Sequence, residues 1–323
     1  MGKYRDLVSR KRCALLILLI IPWHLIAQRT ELVPLGDFEQ WVVRDVEESL
    51  ILGGEVKRLY EIGPTDTIVG NIAYDNDNTI WATSNAYAKV VGITKTSNSV
   101  SPSVGIDGTC AMLETRLETL KVLGLVSIRV LISGSIFWGK VFEPIPGVSD
   151  PYSYMDWGIP FTKRPSALVL DYKSIVPNTG VITKGTTLRT TTFEGYDPEQ
   201  IILILQHRWE DEDGAIHAKR VGTAICHIDS TSDGWKKDFR IPVIYGDATK
   251  HPEYKPFMGL TPADRPLFAL NSKGKSVPIR EDEWGDPELP VTHALLMITA
   301  GSWGAFIGAQ GNVLWVDNIR LEF

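Results

Sequence analysis

The chain has 323 residues, 44% of them apolar, and a formal net charge of −6, which is long enough for a sizeable core and ordinary in composition for a globular protein. Its first twelve residues hold five bases and one acid, so without them the net charge falls to −10. A chain that acidic is a poor match for a nucleic-acid backbone.

In chain order, Lys3, Arg5, Arg10, Lys11 and Arg12 precede the apolar run Ala14 to Ile21, and Pro22 and His24 interrupt it before the small residue Ala27. This is the order of a removable secretory signal. The stretch from Ala14 to Ala27 is only 14 residues, short of the roughly 18 to 20 apolar residues a membrane helix needs. Residues 1–27 are therefore expected to be a cleaved signal peptide, and residues 28–323 an exported protein without a membrane span. Cys13 precedes the apolar run, whereas a lipid-bearing cysteine would follow it. Cys110 and Cys226 remain after cleavage. They pair in an oxidising compartment if their geometry allows, or stay as two buried thiols.

Beyond residue 28, short β-branched or aromatic segments alternate with Gly, Pro, Asn and Asp, the pattern of antiparallel strands and their turns. Leu113 to Thr119 alternates as a strand. Thr186 to Thr192 is rich in β-branched residues, and Ile201 to Leu205 is a continuous apolar run suited to a strand covered on both faces. Asp213-Gly214 makes a turn after it. Lys250 to Pro290 is loop-rich and reads as an insertion. The last eleven residues alternate most clearly, with Val313, Trp315, Asp317, Ile319, Leu321 and Phe323 on one face. Many short strands without helices predict an all-β fold, a jelly-roll β-sandwich, as a single domain over residues 28–323.

No G-x-S-x-G elbow, Walker loop, H-E-x-x-H or C-x-x-C appears, so the sequence offers no catalytic residues. His207, His217 and His227 recur at a spacing that matches no common metal site. The acidic clusters at 75–78, 210–213 and 281–286 lack the calcium-loop pattern and read as solvated turns. A glycosidase's two carboxylates can come from distant strands, so enzyme activity stays open. Nine tryptophans remain after the signal. Trp41, Trp81, Trp303 and Trp315 lie in strand-like segments and are expected mostly in the core. Trp138, Trp157 and Trp284 adjoin Gly- or Pro-rich turns and are the candidate carbohydrate contacts, since sugar rings stack on flat aromatic faces. Asp317, on the expected core face, is a misplaced carboxylate. Protonation, a Lys or Arg, backbone N–H groups or a hard cation would each resolve it.

Several segments resemble the putative carbohydrate metabolism domain family of Gram-negative envelope proteins. They are Asp37-Phe38-Glu39-Gln40-Trp41, Trp81 to Asn85, Ser133 to Lys140, Gly158 to Pro165, Asp171-Tyr172-Lys173, and Gly301-Ser302 through Val316 to Ile319. The Gly-Ile-Pro-Phe-Thr run with its Arg-Pro is the most specific of them. Ser174 and Trp138 depart from the family's usual aromatic and Thr at those positions. The resemblance implies a jelly roll similar to carbohydrate-binding modules, acting on polysaccharide or the cell wall from the periplasm, the cell surface or the medium, with no catalytic residues to carry over. It also implies a structural calcium ion, held by Glu39 and Asp317 between the two ends of the domain. The function expected is non-catalytic binding of a carbohydrate or cell-wall glycan, or an envelope-structural role. The alternatives are a glycoside hydrolase-like enzyme and a protein-binding adhesin.

Overall fold

Strand-forming residues separated by turn formers give an architecture built almost entirely of strands. The computed structural model describes residues 29–122, 126–187 and 190–323; the expected signal peptide lies outside them. Eight long antiparallel strands make the frame: β1 (Thr109–Val122), β2 (Ser135–Val141), β3 (Ala167–Ile175), β4 (Glu199–Glu210), β5 (Ile216–Ile228), β6 (Lys236–Pro242), β7 (His293–Thr299) and β8 (Val313–Glu322). One sheet runs β1-β8-β3-β6 and the other β2-β7-β4-β5. Successive strands cross between the sheets in the order of a jelly roll, so the expected fold class is the one observed.

Each sheet is extended at its edges. Val126–Ser133 pairs with the second half of β1, and Val181–Thr187 and Thr190–Glu194 follow it. The run Thr186 to Thr192 therefore spans two strands rather than one. In the second sheet, Trp81–Thr83 and Met155–Trp157 pair with β2, and Ser276–Trp284 lies parallel to β5. The 250–290 stretch thus contributes a hairpin, Phe268–Leu270 with Ser276–Trp284. Upstream of β1, Trp41–Glu47, Val56–Ile62 and Asp66–Val69 form a separate three-stranded sheet, and Ala86–Val90 with Ile93–Ser97 a hairpin.

Ile201, Leu203 and Leu205 of β4 point into the core between the sheets with Leu296, Ile298, Leu314 and Val316, while Ile202 and Ile204 point the other way into a second apolar cluster. The unbroken run is covered on both faces, as expected from its composition. Burying both faces needs material outside the second sheet, and the space between that material and the sheet is the cavity described below. Trp41 and Trp81 are in the core. Cys110 and Cys226 are thiols on opposite sheets, in β1 and β5.

The final strand corrects one expectation. Leu314 and Val316 face the core, but so do Ile319 and Leu321, an odd step that a regular strand cannot take. Asn318 adopts φ 51, and the register of β3 against β8 shifts at Val169/Asp171. This bulge turns the alternation over, so Trp315 and Ile319 lie on opposite faces.

Candidate functional site

Aligned β-strands place side chains in rows across a sheet, and three such rows make the outer floor of the second sheet. The register puts Ser135, Thr299, Gln200 and His227 side by side across β2, β7, β4 and β5. Two residues along, Phe137, Met297, Ile202 and Ile225 form the next row, and Leu295 and Ile204 start a third. All these side chains line a cavity of about 970 Å³, a size typical of ligand sites.

The polar row is internally paired. The Ser135 hydroxyl donates to Thr299 Oγ1 at 2.9 Å, and the Gln200 amide donates to His227 Nε2 at 2.9 Å. On that assignment the ring proton sits on Nδ1. Phe257 stacks on the His227 ring with centroids 3.8 Å apart. Burial pushes the His227 pKa below its ordinary value, with Asp229 opposing, so the ring is neutral at pH 7.

Around the floor stand three walls. Ala88, Val90 and Ile93 of the hairpin, with Val130 and Ile132 of the strand beside β1, form one. Phe257, Arg265 and Leu267 form the second. Their segment is tied down at Thr261, whose N–H and hydroxyl donate to Glu281 Oε2 at 2.9 and 2.8 Å. Glu281 in turn is gripped by Arg220, whose Nε donates at 2.7 Å, and by Gln206. Burial raises the Glu281 pKa, but Arg220, with the Gln206 and Thr261 hydrogen bonds, outweighs it and holds the carboxyl far below its ordinary range. This acid is buried and paired, unlike the solvated turn expected at 281–286. Trp303 and Phe306 make the third wall. Their loop is anchored by Asp197, whose carboxylate accepts from the Ser302 and Ala309 N–H groups, both at 2.7 Å.

The expected contacts fall in different places. Trp138 is 1% exposed in the core between the sheets, edge-on to Trp81, and shows no face to a ligand. Its strand alternation, rather than the glycine after it, decides this. Trp157 is 2% exposed; its ring stacks on Phe137 with centroids 4.3 Å apart, at the edge of the cavity. Trp284 lies on the strand beside β5, its ring 5.7 Å from the guanidinium of Arg220, and does not itself line the cavity. Trp303, expected in the core, is 39% exposed and lines the cavity. Its setting in Gly301-Ser302-Trp303-Gly304 is the turn-adjacent signal that singled out the others, and applying it there finds the residue. Trp315 is half-buried, with Lys173 Nζ 4.0 Å over its ring.

Glu39 and Asp317 meet at one turn. A Cβ on Gly105 would lie 2.7 Å from Asp317 Oδ2, and one on Gly108 would lie 2.1 Å from Glu39 Oε1, so glycine is what lets the 105–108 turn approach both carboxylates. Glu39 Oε1 accepts from the Thr109 N–H at 2.9 Å, and Asp317 Oδ1 from the Asn318 N–H at 2.8 Å. Asp317 Oδ2 is buried without a partner among the described residues. Burial raises the Asp317 pKa to about 6 against the pull of the Asn318 and Ile106 N–H groups, with smaller pushes upward from Asp171 and Glu39. No group of three or more His, Cys, Asp or Glu capable of holding a metal occurs among the described residues. A cation here would take two carboxylates and complete its shell with backbone oxygens, which calcium accepts. A buried carboxylate oxygen without a partner, at a turn that a second carboxylate also reaches, fits such an ion.

A family model described as "Putative carbohydrate metabolism domain" matches residues 57–258, more than half of the chain. The chain belongs to this family. No curated protein sequence matches it. Among solved structures it is similar to a putative glycoside hydrolase from Bacteroides thetaiotaomicron, at 18% identity over 86% of this chain and 70% of that one, TM-score 0.47. A second putative glycoside hydrolase, from Bacteroides vulgatus, matches at 14% identity over 91% and 94%, TM-score 0.42. A carbohydrate-binding module studied for specific mannan recognition matches at 10% identity over 75% and 88%, TM-score 0.24.

The family segments have structural jobs. Gly158, at φ 87, leaves no room for a Cβ, which would lie 2.9 Å from the Ala294 carbonyl oxygen. Arg164 stacks 4.4 Å from the Tyr245 ring centroid, and the Tyr245 hydroxyl donates to the Pro165 carbonyl at 2.8 Å. Asp171 accepts from the Asp238 N–H at 2.7 Å and from Asn318 Nδ2 at 3.0 Å. The Asp171 contacts hold the first sheet and those of Gly158 and Tyr245 the second, and none of these residues lines the cavity.

Proposed function

We propose that this is an exported, non-catalytic glycan-binding protein whose site is the cavity over the second sheet. The observation that carries the reading is the lining itself. It combines hydrogen-bonding groups in a row (Thr299, Gln200, His227) with two partly exposed aromatic rings, Phe257 and Trp303, and Glu118 is the one carboxylate among its described residues. A sugar offers hydroxyls and apolar C–H faces, which that combination suits. Hydrolysis by the usual two-carboxylate route needs a pair of acids roughly 5 to 10 Å apart across the substrate, so one acid in the lining favours binding. Membership in a carbohydrate metabolism family supports the ligand class. We also propose calcium at Glu39 and Asp317, where it would neutralise the orphaned carboxylate and tie the start of the domain to its last strand.

The test is a glycan array with product analysis on the intact protein and on Trp303→Ala. Binding without sugar release is expected, with the variant folded and about thirtyfold weaker, the loss typical of one well-placed aromatic contact. Release of reducing sugar would overturn the reading in favour of an enzyme, and silence on every glycan in favour of protein binding.

A further inference from the structure

The floor of the cavity is divided in a way that free sugar does not require. Its first row is polar throughout and its second apolar throughout, and Leu295 and Ile204 continue the apolar side. The rise of a strand sets these rows about 7 Å apart. The division lies in the floor, since the walls are mixed: the wall of Ala88, Val90, Ile93, Val130 and Ile132 also carries Lys95, Thr96, Ser97 and Glu118. At the hairpin tip between Val90 and Ile93, Val91 is 96% exposed, an apolar side chain in water that borders the cavity. A free oligosaccharide is hydroxylated along its whole length and would leave hydroxyls unpaired over the apolar rows, at a cost for each.

We propose that the ligand is amphipathic: a sugar joined to a hydrocarbon chain, with the sugar over Thr299, Gln200 and His227 and the chain over Met297, Ile202 and Ile204. This rests on the glycan-binding reading and narrows it to acylated or otherwise lipid-linked glycans. Sharp polarity matching between the two parts of one cavity and the two parts of one molecule selects against both separate halves. Free sugar forgoes the apolar contacts, and plain hydrocarbon makes no hydrogen bond to the polar row.

The experiment is calorimetric titration of the intact protein with methyl, hexyl and octyl β-glucosides below their micelle concentrations, beside 1-octanol. Burial of methylenes strengthens binding about fourfold each at roughly 0.8 kcal/mol per group, so burying even about two of the methylenes that octyl adds to methyl glucoside is expected to gain at least tenfold. Ile204→Thr is expected to cut the octyl-to-methyl ratio at least threefold. Should that variant not fold, Met297→Gln on the neighbouring row makes the same test. Gln200→Leu is expected to weaken every glucoside and leave the octyl-to-methyl ratio intact. Equal affinities for methyl and octyl glucoside would overturn the amphipathic ligand while leaving glycan binding standing. Octanol binding as tightly as octyl glucoside would overturn the sugar part and the glycan reading with it. No binding by any glucoside, in a protein that does bind free glycans on the array, would overturn the inference alone.

Discussion

Asp317 carries two opposing demands that a single measurement separates. With no ion, burial raises its folded-state pKa to about 6 from an ordinary 3.8. The folded state then holds a proton that the unfolded chain releases, so this group makes stability fall as pH rises from about 4 to 6. Asp317→Asn removes that loss. In chelator, the variant is expected to melt with wild type at pH 4 and above it at pH 7. The proposed calcium would close that gap, because an ion bound only to the folded state at a hundred times its Kd adds about 2.7 kcal/mol, roughly 5 °C for a chain of this size and similar in size to the loss from the raised pKa. Wild type is expected to gain that rise at pH 7 and the variant to lose it, read by scanning fluorimetry in calcium and in chelator. Identical wild-type melting in the two would remove the ion from the account. The sequence showed this carboxylate as misplaced, but not its neighbours. Glu39 is 70 positions from the Thr109 N–H it accepts, a distance that only the folded turn closes.

At the scale of elements, the segment Ser133 to Lys140 shows how a family motif works through backbone approach. Gly134 has no space for a side chain, since a Cβ would lie 2.4 Å from the Ser99 carbonyl oxygen, and Gly139 at φ 145 would place one 2.0 Å from that of Asp156. Gly134 precedes β2 and Gly139 lies within it, and they let neighbouring segments come within hydrogen-bonding distance, with the Gly158 N–H donating to the Trp138 carbonyl at 2.8 Å. Gly139→Ala must break that pairing or strain the backbone. It is expected to lower stability by about 2 kcal/mol or more, seen as a lower urea midpoint, and an unmoved midpoint would contradict the close approach. The strands themselves were legible. β1, β4 and β8 fall where alternation or an unbroken apolar run put them, because the period of two is local. The bulge at Asn318 was not, because nothing in Val-Asp-Asn-Ile marks where the alternation turns over.

For the whole molecule, export is the remaining proposal, resting on the charged start, the short apolar run and Ala27. N-terminal sequencing of the exported protein should begin near Gln28 or Arg29, and a mature product that retains Met1 would end it. No helix among the described residues is long and apolar enough to cross a membrane. By itself the sequence determined the all-β class, the jelly roll and the family, since each rests on local pattern or on short motifs whose glycines and prolines fix the backbone. It did not determine the site. Whether a tryptophan packs or binds depends on which sheet face it occupies and on what covers that face: Trp138 points between the sheets, and Trp303 stands on a loop held by Asp197. The cavity floor joins residues from β2, β4, β5 and β7, which span positions 135 to 299. Its polar and apolar rows exist only once four strands are in register, because hydrogen bonds between strands, and not sequence neighbours, set which side chains stand together.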